Sequence, residues 1–509
     1  MKLSLNRSEY RDKVLACWLG KNIGGTVGMP FEWKRQVNNV EFYTQDLRGE
    51  PVANDDLDIQ LLWLIALEQK GVKIDARTLA DYWCIHVTPH WAEYGTAKAN
   101  LRAGLLPPMS GALNNVYRHS CGAYIRSEIW ACIAPGLPEV AANYAYEDAI
   151  IDHGSGEGTY GEVFFAALES AAFVLSDLRT LIDLGLSYIP ATSAVAGAVR
   201  LALASFDAGK SWQATRDDVL TAFRGSVPTW TAPASPDDVA KGFDTGPLGF
   251  DVPVNVAFTV MALLYGGDDF GKIVCTAVNC GEDTDCTAAT AGSIYGIIHG
   301  TAAIPQRWID PIGRSIKTIA INAGDLFSLP RTVDELTDRT VAIMDKVVAL
   351  SGRGTVSVSE KPTDLAALKL DALKPSREFR VLDEGLNGPV FRSDFFTLTL
   401  DYGDGATIRS GEPKPLRVSV KSNFLCQANV ALRWYLPAGW QASPSEQGAF
   451  FIQPGTSRQI TVTLSAEKIV QTANRAVLEL TVAGVSSIML IPVLLINGDL
   501  MEAQLPRGC

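Results

Sequence analysis

The feature that most constrains this chain is a change of apolar period partway along it. Up to about Leu350, apolar residues recur at helical spacing. Leu57–Glu68 (LDIQLLWLIALE), Tyr160–Leu175 and the small-sided Thr287–Ile298 each predict a buried or amphipathic helix. From about Arg377 the runs Leu416–Val420, Asn429–Tyr435, Gln459–Leu464 and Val477–Val482 largely alternate apolar and polar residues. Turns such as Pro437-Ala438-Gly439 and Pro454-Gly455 separate some of them, which predicts a small antiparallel β-sandwich. The two periods bury different faces, so they belong to separate cores, and 509 residues are too many for one core. The expected organisation is an all-α domain over residues 1–350, a linker over 351–376 with one short helical piece, and a β-sandwich over 377–509. Long polar loops, Gly104–Asn115 and Pro228–Asp251, interrupt the helical part and are candidates for function.

Composition narrows the function classes. The formal charge of −12 leaves no basic footprint for a nucleic acid. Apolar stretches such as Ser486–Ile496 fall short of the ~20 residues a membrane span needs. The first residues carry too many charges for a secretory leader. Nine cysteines without a CxxC pair suggest reduced thiols, hence a cytoplasmic protein without a disulfide framework.

Two acidic clusters stand at predicted helix mouths. Asn54-Asp55-Asp56 precedes the Leu57 helix, and Asp58 follows. Capping explains one such residue, but three carboxylates within four positions also suit a hard cation such as Mg²⁺ or Ca²⁺. Glu282-Asp283-Thr284-Asp285 opens a helix whose small residues suggest deep burial, where paired carboxylates need a cation or a proton. Gly20–Glu32 (GKNIGGTVGMPFE) lacks a phosphate-loop pattern. Its glycines at 20, 24 and 28 suit tight helix packing, which leaves Glu32 at the helix exit. His153 lies in a Gly-rich polar loop before a helix, a pattern that fits close approach of a ligand as well as a structural role. His86 and His90 are split by Pro89, which argues against a helical metal pair. Trp63, Trp83, Trp91 and Trp130 fit core packing better than sugar stacking.

Taken together and in order, these motifs resemble the ADP-ribosylglycohydrolase family over roughly the first 345 residues. Gly24–Glu32 is similar to its first Gly-rich segment ending in Glu, and Asn54-Asp55-Asp56 to its Thr-Asp-Asp motif. Asp152-His153 with Gly158–Gly161 is similar to its central His-Gly segment, and Gly281–Gly296 to its Gly-Asp-Thr-Asp-Thr helix. The resemblance implies an all-α fold with a cleft for one or two Mg²⁺ ions, Ca²⁺ or Mn²⁺ being alternatives. It implies Asn54, Asp55, Asp56, Asp283 and Asp285 as metal ligands and Glu32 or Asp56 as the base. His153, Gly156, Glu157 and Tyr160 become the expected substrate contacts. The implied activity is hydrolysis of a glycosidic bond to a ribosyl-type furanose, in an ADP-ribose-like conjugate or a small glycoside. The chain departs from the pattern at Asn54, at Gly25, where many members have Asp, and at Cys286, where a Thr oxygen often ligates. The C-terminal part resembles β-sandwiches appended to carbohydrate-active enzymes. The competing readings are a catalytically inactive sugar- or nucleotide-binding protein of the same fold, and a protein that binds Ca²⁺ for stability alone.

Overall fold

The computed structural model describes residues 3–225, 236–241, 250–322, 328–351, 355–377, 379, 387–445, 447–482 and 488–502. Most of the loop expected over Pro228–Asp251 lies outside the described residues. The chain divides into two compact units, residues 1–98 with 114–384, and residues 99–113 with 385–509.

The first unit is mostly helical. Its first helix, Arg7–Gly28, begins at Asn6, whose side chain accepts from the backbone N–H groups of Ser8 and Glu9. That helix packs against Thr284–His299 through small residues. A Cβ on Gly20 would lie 2.1 Å from the Gly292 carbonyl oxygen, and one on Gly24 2.2 Å from that of Ala288. One on Gly28 would lie 2.4 Å from Asp285 Cα, and one on Gly296 2.3 Å from the Ala16 oxygen. Numbers rise along one helix as they fall along the other, so the pair is antiparallel. Each interior glycine gives up about 1 kcal/mol of helix propensity relative to alanine. Only the backbone approach explains their use here. At the end of the seam the Thr284 hydroxyl donates to the Gly28 carbonyl at 2.8 Å. The chain then makes a single 3₁₀ turn, Met29–Phe31, and delivers Glu32 to the mouth of the partner helix.

Helix Asp55–Lys70 is buried continuously from Asp56 to Leu67, and Val252–Gly266 is buried on nearly all sides. Helices apolar all round belong inside a core. Trp63, Trp83 and Trp130 are fully buried there, and the indoles of Trp63 and Trp130 donate to Asp148 Oδ2 at 2.7 and 3.0 Å.

The stretch expected as a linker, 351–376, contains secondary structure of the helical unit. Strand β1 (Leu3–Asn6) pairs in parallel with β2 (Val356–Ser359), and Leu370–Leu373 forms a 3₁₀ turn.

The second unit is a two-sheet sandwich. One sheet runs β3 (Val390–Arg392), β4 (Phe396–Asp401), β6 (Lys414–Ser422), β10 (Ser457–Ala466), β8 (Trp440–Ser443), all antiparallel. The other runs β5 (Thr407–Ile408), β12 (Ile488–Asn497), β11 (Ala473–Val482), β7 (Ala428–Tyr435), β9 (Gln447–Ile452), with only the short β5–β12 pair parallel. Alternate residues of β6 and β7 face one shared core, including Leu416, Val418 and Val420 from the first and Val430, Leu432 and Trp434 from the second. Leu105 and Met109, from the segment expected as a polar loop, complete that core. Among the described residues no helix is long and apolar enough to cross a membrane.

Candidate active site

The close seam between Arg7–Gly28 and Thr284–His299 brings Glu32 to the mouth of the second helix, and the Asn54–Asp285 bond ties the mouth of Asp55–Lys70 to the same place. Asp56, Asp285 and Cys286 offer ligand atoms that all lie within 4.8 Å of one another, and so do Glu32, Asp283 and Asp285. Asp55 and Asp56 come from the first turn of Asp55–Lys70, Asp283 and Asp285 from the start of Thr284–His299, and Glu32 from the exit of the first helix. The Asp283 amide donates to Asn255 Oδ1 at 3.1 Å, which anchors this mouth to Val252–Gly266.

Each neighbouring polar group has a defined task. Asn54 Oδ1 caps its helix by accepting from the Asp56 amide at 2.8 Å, while Nδ2 donates to Asp285 Oδ2 at 3.1 Å. The Tyr94 hydroxyl donates to Asp55 Oδ2 at 2.8 Å. The Cys286 thiol donates to Asp56 Oδ1 at 3.4 Å. Buried Lys21 bonds Glu128 Oε1 at 2.8 Å and lies 3.6 Å from Asp56 Oδ2. Asp58 turns away and accepts from the Ile319 and Ala320 amides, both at 2.6 Å. Glu282 also turns away and pairs with Arg224.

A cavity of about 380 Å³ opens onto this cluster. Glu32, Asp55, Asp283 and Asp285 line it, whereas Asp56 lies behind them. Trp33 and Trp91 are about half exposed at its wall, and Tyr117 and Phe250 join them. Trp33 has φ 63°, a left-handed conformation that a bulky side chain rarely adopts.

The electrostatics suit a bound cation. Burial first, then repulsion from Asp285, Asp55 and Asp56, pushes the Glu32 carboxyl up to about 10. Burial and then Asp55 raise Asp285 to about 6. Burial also lifts Asp55, Asp56 and Asp283. Asp56 Oδ2, Asp283 Oδ1 and Asp285 Oδ1 are buried and accept no hydrogen bond. Oxygens in that state fit a divalent cation, which would relieve both the desolvation and the repulsion.

The expected substrate contacts, His153, Gly156, Glu157 and Tyr160, do not line this cavity. His153 is fully buried. Arg126 grips Asp152 with two bonds of 3.0 and 2.7 Å, so Asp152 stays ionised despite its burial. His153 Nδ1–H therefore donates to Asp152 Oδ1 at 2.8 Å, and Nε2 shares a hydrogen bond of 3.1 Å with the Ser120 hydroxyl. Ser120 precedes Cys121 and Gly122, which do line the cavity. Glu157 accepts from the Ala194 and Val195 amides at 2.9 and 3.0 Å and so caps helix Ala194–Asp207. A Cβ on Gly156 would meet the Arg118 carbonyl at 2.0 Å, and one on Gly158 the His153 ring at 2.0 Å. These glycines admit the protein's own atoms.

Sequence reasoning missed Glu93, Tyr94 and Cys121 as cavity residues. Their stretches carry no period or spacing that marks them. Trp91 was visible only as one tryptophan among several.

The ADP-ribosylglycohydrolase family model matches residues 6–341, about two thirds of the chain, and the chain belongs to that family. Among curated proteins, the ADP-ribosylarginine hydrolase Tri1 of Pseudomonas putida (strain GB-1) is 32% identical over 73 residues, 14% of this chain and 19% of that protein. Tri1 of Serratia proteamaculans (strain 568) is 36% identical over 52 residues, 10% and 14% respectively. The chain therefore spans less than a fifth of either relative's length. Among solved structures, a FixG-related protein from Vibrio parahaemolyticus matches with TM-score 0.17 and 11% identity, over 21% of this chain and 99% of that one. A likeness that slight carries no argument.

Proposed function

We propose that this protein is a metal-dependent hydrolase of a glycosidic bond to a ribosyl-type furanose. The observation that supports this is the convergence of four carboxylates from three distant segments on one cavity, with Asp56 beside them and buried oxygens on Asp56, Asp283 and Asp285 that accept no hydrogen bond. Asp55, Asp56, Asp283 and Asp285 would hold the ion, and Mg²⁺, Mn²⁺ or Ca²⁺ suits such oxygen donors. Asn54 is engaged as cap and as donor to Asp285, so it orients that carboxylate from outside the ligand set. When bound, a divalent cation supplies Lewis-acid polarisation of oxygen atoms.

The chain's own residues do the rest. Glu32 faces the cavity and Asp56 does not; with a cation bound the Glu32 carboxyl would come down from about 10, and Glu32 would then take the proton from the attacking water. Asp56 stays fixed between Lys21 and Cys286. Trp33, Trp91, Tyr117 and Phe250 offer ring faces to the sugar or its leaving group. The Tri1 relatives are ADP-ribosylarginine hydrolases, which puts ADP-ribosylarginine first among substrates to try, followed by nucleosides and simple ribosides.

The test sets metal affinity by calorimetry beside turnover. Glu32→Gln is expected to keep metal binding while turnover falls by roughly 10²–10⁴. Asp285→Asn is expected to lose both. Full turnover by Glu32→Gln refutes its role as base, and metal-independent turnover refutes the metal reading.

A further inference from the structure

Asp285 is shared by two ligand groups of different chemistry. Toward Glu32 and Asp283 every donor is oxygen, whereas toward Asp56 the third donor is the Cys286 sulfur. We propose that Asp56, Asp285 and Cys286 form a sulfur-containing cation position that takes a zinc-type divalent ion in preference to magnesium. The inference rests on the metal-centre reading above and adds to it the identity of one ion.

The geometry is close to what ligation requires. Two donors on one zinc-type ion, at bonds of about 2.0–2.3 Å, lie at most about 4.6 Å apart. The three donors already lie within 4.8 Å of one another. Cys286 Sγ is aimed at the cluster, since it donates to Asp56 Oδ1 at 3.4 Å. The unused donors point the same way: Asp56 Oδ2 and Asp285 Oδ1 are buried without accepting a hydrogen bond. Both residues are only 2% exposed and Cys286 7%, so bulk water does not satisfy these atoms. Lys21 bonds Glu128 at 2.8 Å and forms a looser ion pair with Asp56 Oδ2 at 3.6 Å, while Asp285 Oδ1 accepts no hydrogen bond.

Donor type then decides which ion is preferred. Thiolate sulfur favours zinc, cobalt and similar borderline ions, whereas magnesium holds to oxygen donors and surrenders its water reluctantly. A second thiol, Cys121, lines the same cavity as Asp283 and Cys286. The oxygen-only group around Asp283 remains suited to magnesium. One centre would thus hold two unlike ions.

The test uses the full chain stripped of metal by a chelator, with Co²⁺ as probe because a thiolate ligand gives a near-ultraviolet charge-transfer band. The wild type is expected to show the band, which Zn²⁺ abolishes and a large excess of Mg²⁺ does not. Cys286→Ser and Cys286→Thr should each lose the band and lower Zn²⁺ affinity by more than the roughly 10–100-fold that outer-shell changes cost, while still binding Mg²⁺. Asp283→Asn should keep the band. The difference spectrum between wild type and Cys286→Ser removes any signal from the other cysteines. A band that survives both Cys286 substitutions, its absence from the wild type, or displacement of Co²⁺ by Mg²⁺ overturns the proposal. If Mg²⁺ still binds in those cases and Asp285→Asn abolishes it, the metal centre itself stands. If neither Co²⁺ nor Mg²⁺ binds, both readings fall.

Discussion

Gly24→Ala separates two physical effects of opposite sign. Helix propensity alone favours alanine inside Arg7–Gly28 by about 1 kcal/mol. Packing opposes it. The new Cβ would lie 2.2 Å from the Ala288 carbonyl oxygen, 2.4 Å from its carbon and 2.5 Å from the Ala289 nitrogen. All three are backbone atoms of Thr284–His299, so no side chain can swing aside. Reaching an ordinary 3.4 Å contact requires the helices to part by about 1.2 Å. Overpacking of this kind costs about 1–3 kcal/mol and sometimes more, and a backbone obstacle places it at the upper end. The expected net effect is destabilisation by about 2 kcal/mol after the propensity gain is subtracted. The same displacement moves Glu32 relative to Asp283 and Asp285, and a shift near 1 Å at a reacting site can reduce turnover about 10²-fold. The neighbouring position supplies the contrast. A Cβ on Gly25 meets the end of the Asn54 side chain, at 2.8 Å, and no backbone, so Gly25→Ala should cost less than Gly24→Ala: it disturbs the Asn54–Asp285 bond but does not force the helices apart. Urea unfolding followed by the helical far-ultraviolet circular dichroism measures both variants, because the second unit contributes mainly strand. A midpoint for Gly24→Ala at or above wild type would refute the packing argument.

Lys21→Met should destabilise the protein by about 3–5 kcal/mol, because it leaves the buried Glu128 charge without its ion-pair partner. Adding Glu128→Gln should recover much of that loss in urea unfolding, and equal midpoints for the single and double variants would count against the ion pair. His119 is pushed down to about 4 from its ordinary 6.5, by burial first and then by Arg118. Between those values the unfolded chain binds a proton that the folded chain does not, so this contribution is whole above 6.5, is lost as pH falls through the window, and levels off below about 4. His119→Asn should therefore flatten the acid side of the midpoint-versus-pH curve, and parallel curves for the two proteins would exclude this linkage.

The sandwich and the main helices were legible because each repeats its own signal. The alternation of Leu416–Val420 falls within β6, and that of Asn429–Tyr435 within β7. The glycine spacing at 20, 24 and 28 announced close packing, although the partner residues Ala288 and Gly292 lie far along the chain. What escaped was short and non-local. Leu3–Asn6 and Val356–Ser359 are four residues each, too short to show a period, and they pair only because the fold brings the two ends of the helical unit together. Leu105 and Met109 escaped for a related reason: their Pro- and Gly-rich surroundings read as loop, yet they serve the core of a unit that begins again at residue 385.

The site shows how far a glycine or an acid can be interpreted without its neighbours. Acids at helix mouths were legible as a cluster because buried like charges need a common counter-charge, a requirement independent of which helices meet. Glycine 158 was legible as a close approach, but its spacing cannot say what approaches, and here it is the ring of His153 five residues earlier. The departures at positions 25 and 54 looked like two separate oddities in the sequence. In the structure they are one, since Asn54 Nδ2 lies 2.8 Å from where a Cβ on residue 25 would sit. Asparagine reaches Asp285 only because glycine leaves that space open. An acid at position 25 would demand a shorter residue at 54, so each change is tolerated because the other is present. Pair constraints of this kind are invisible to any reading that takes positions one at a time.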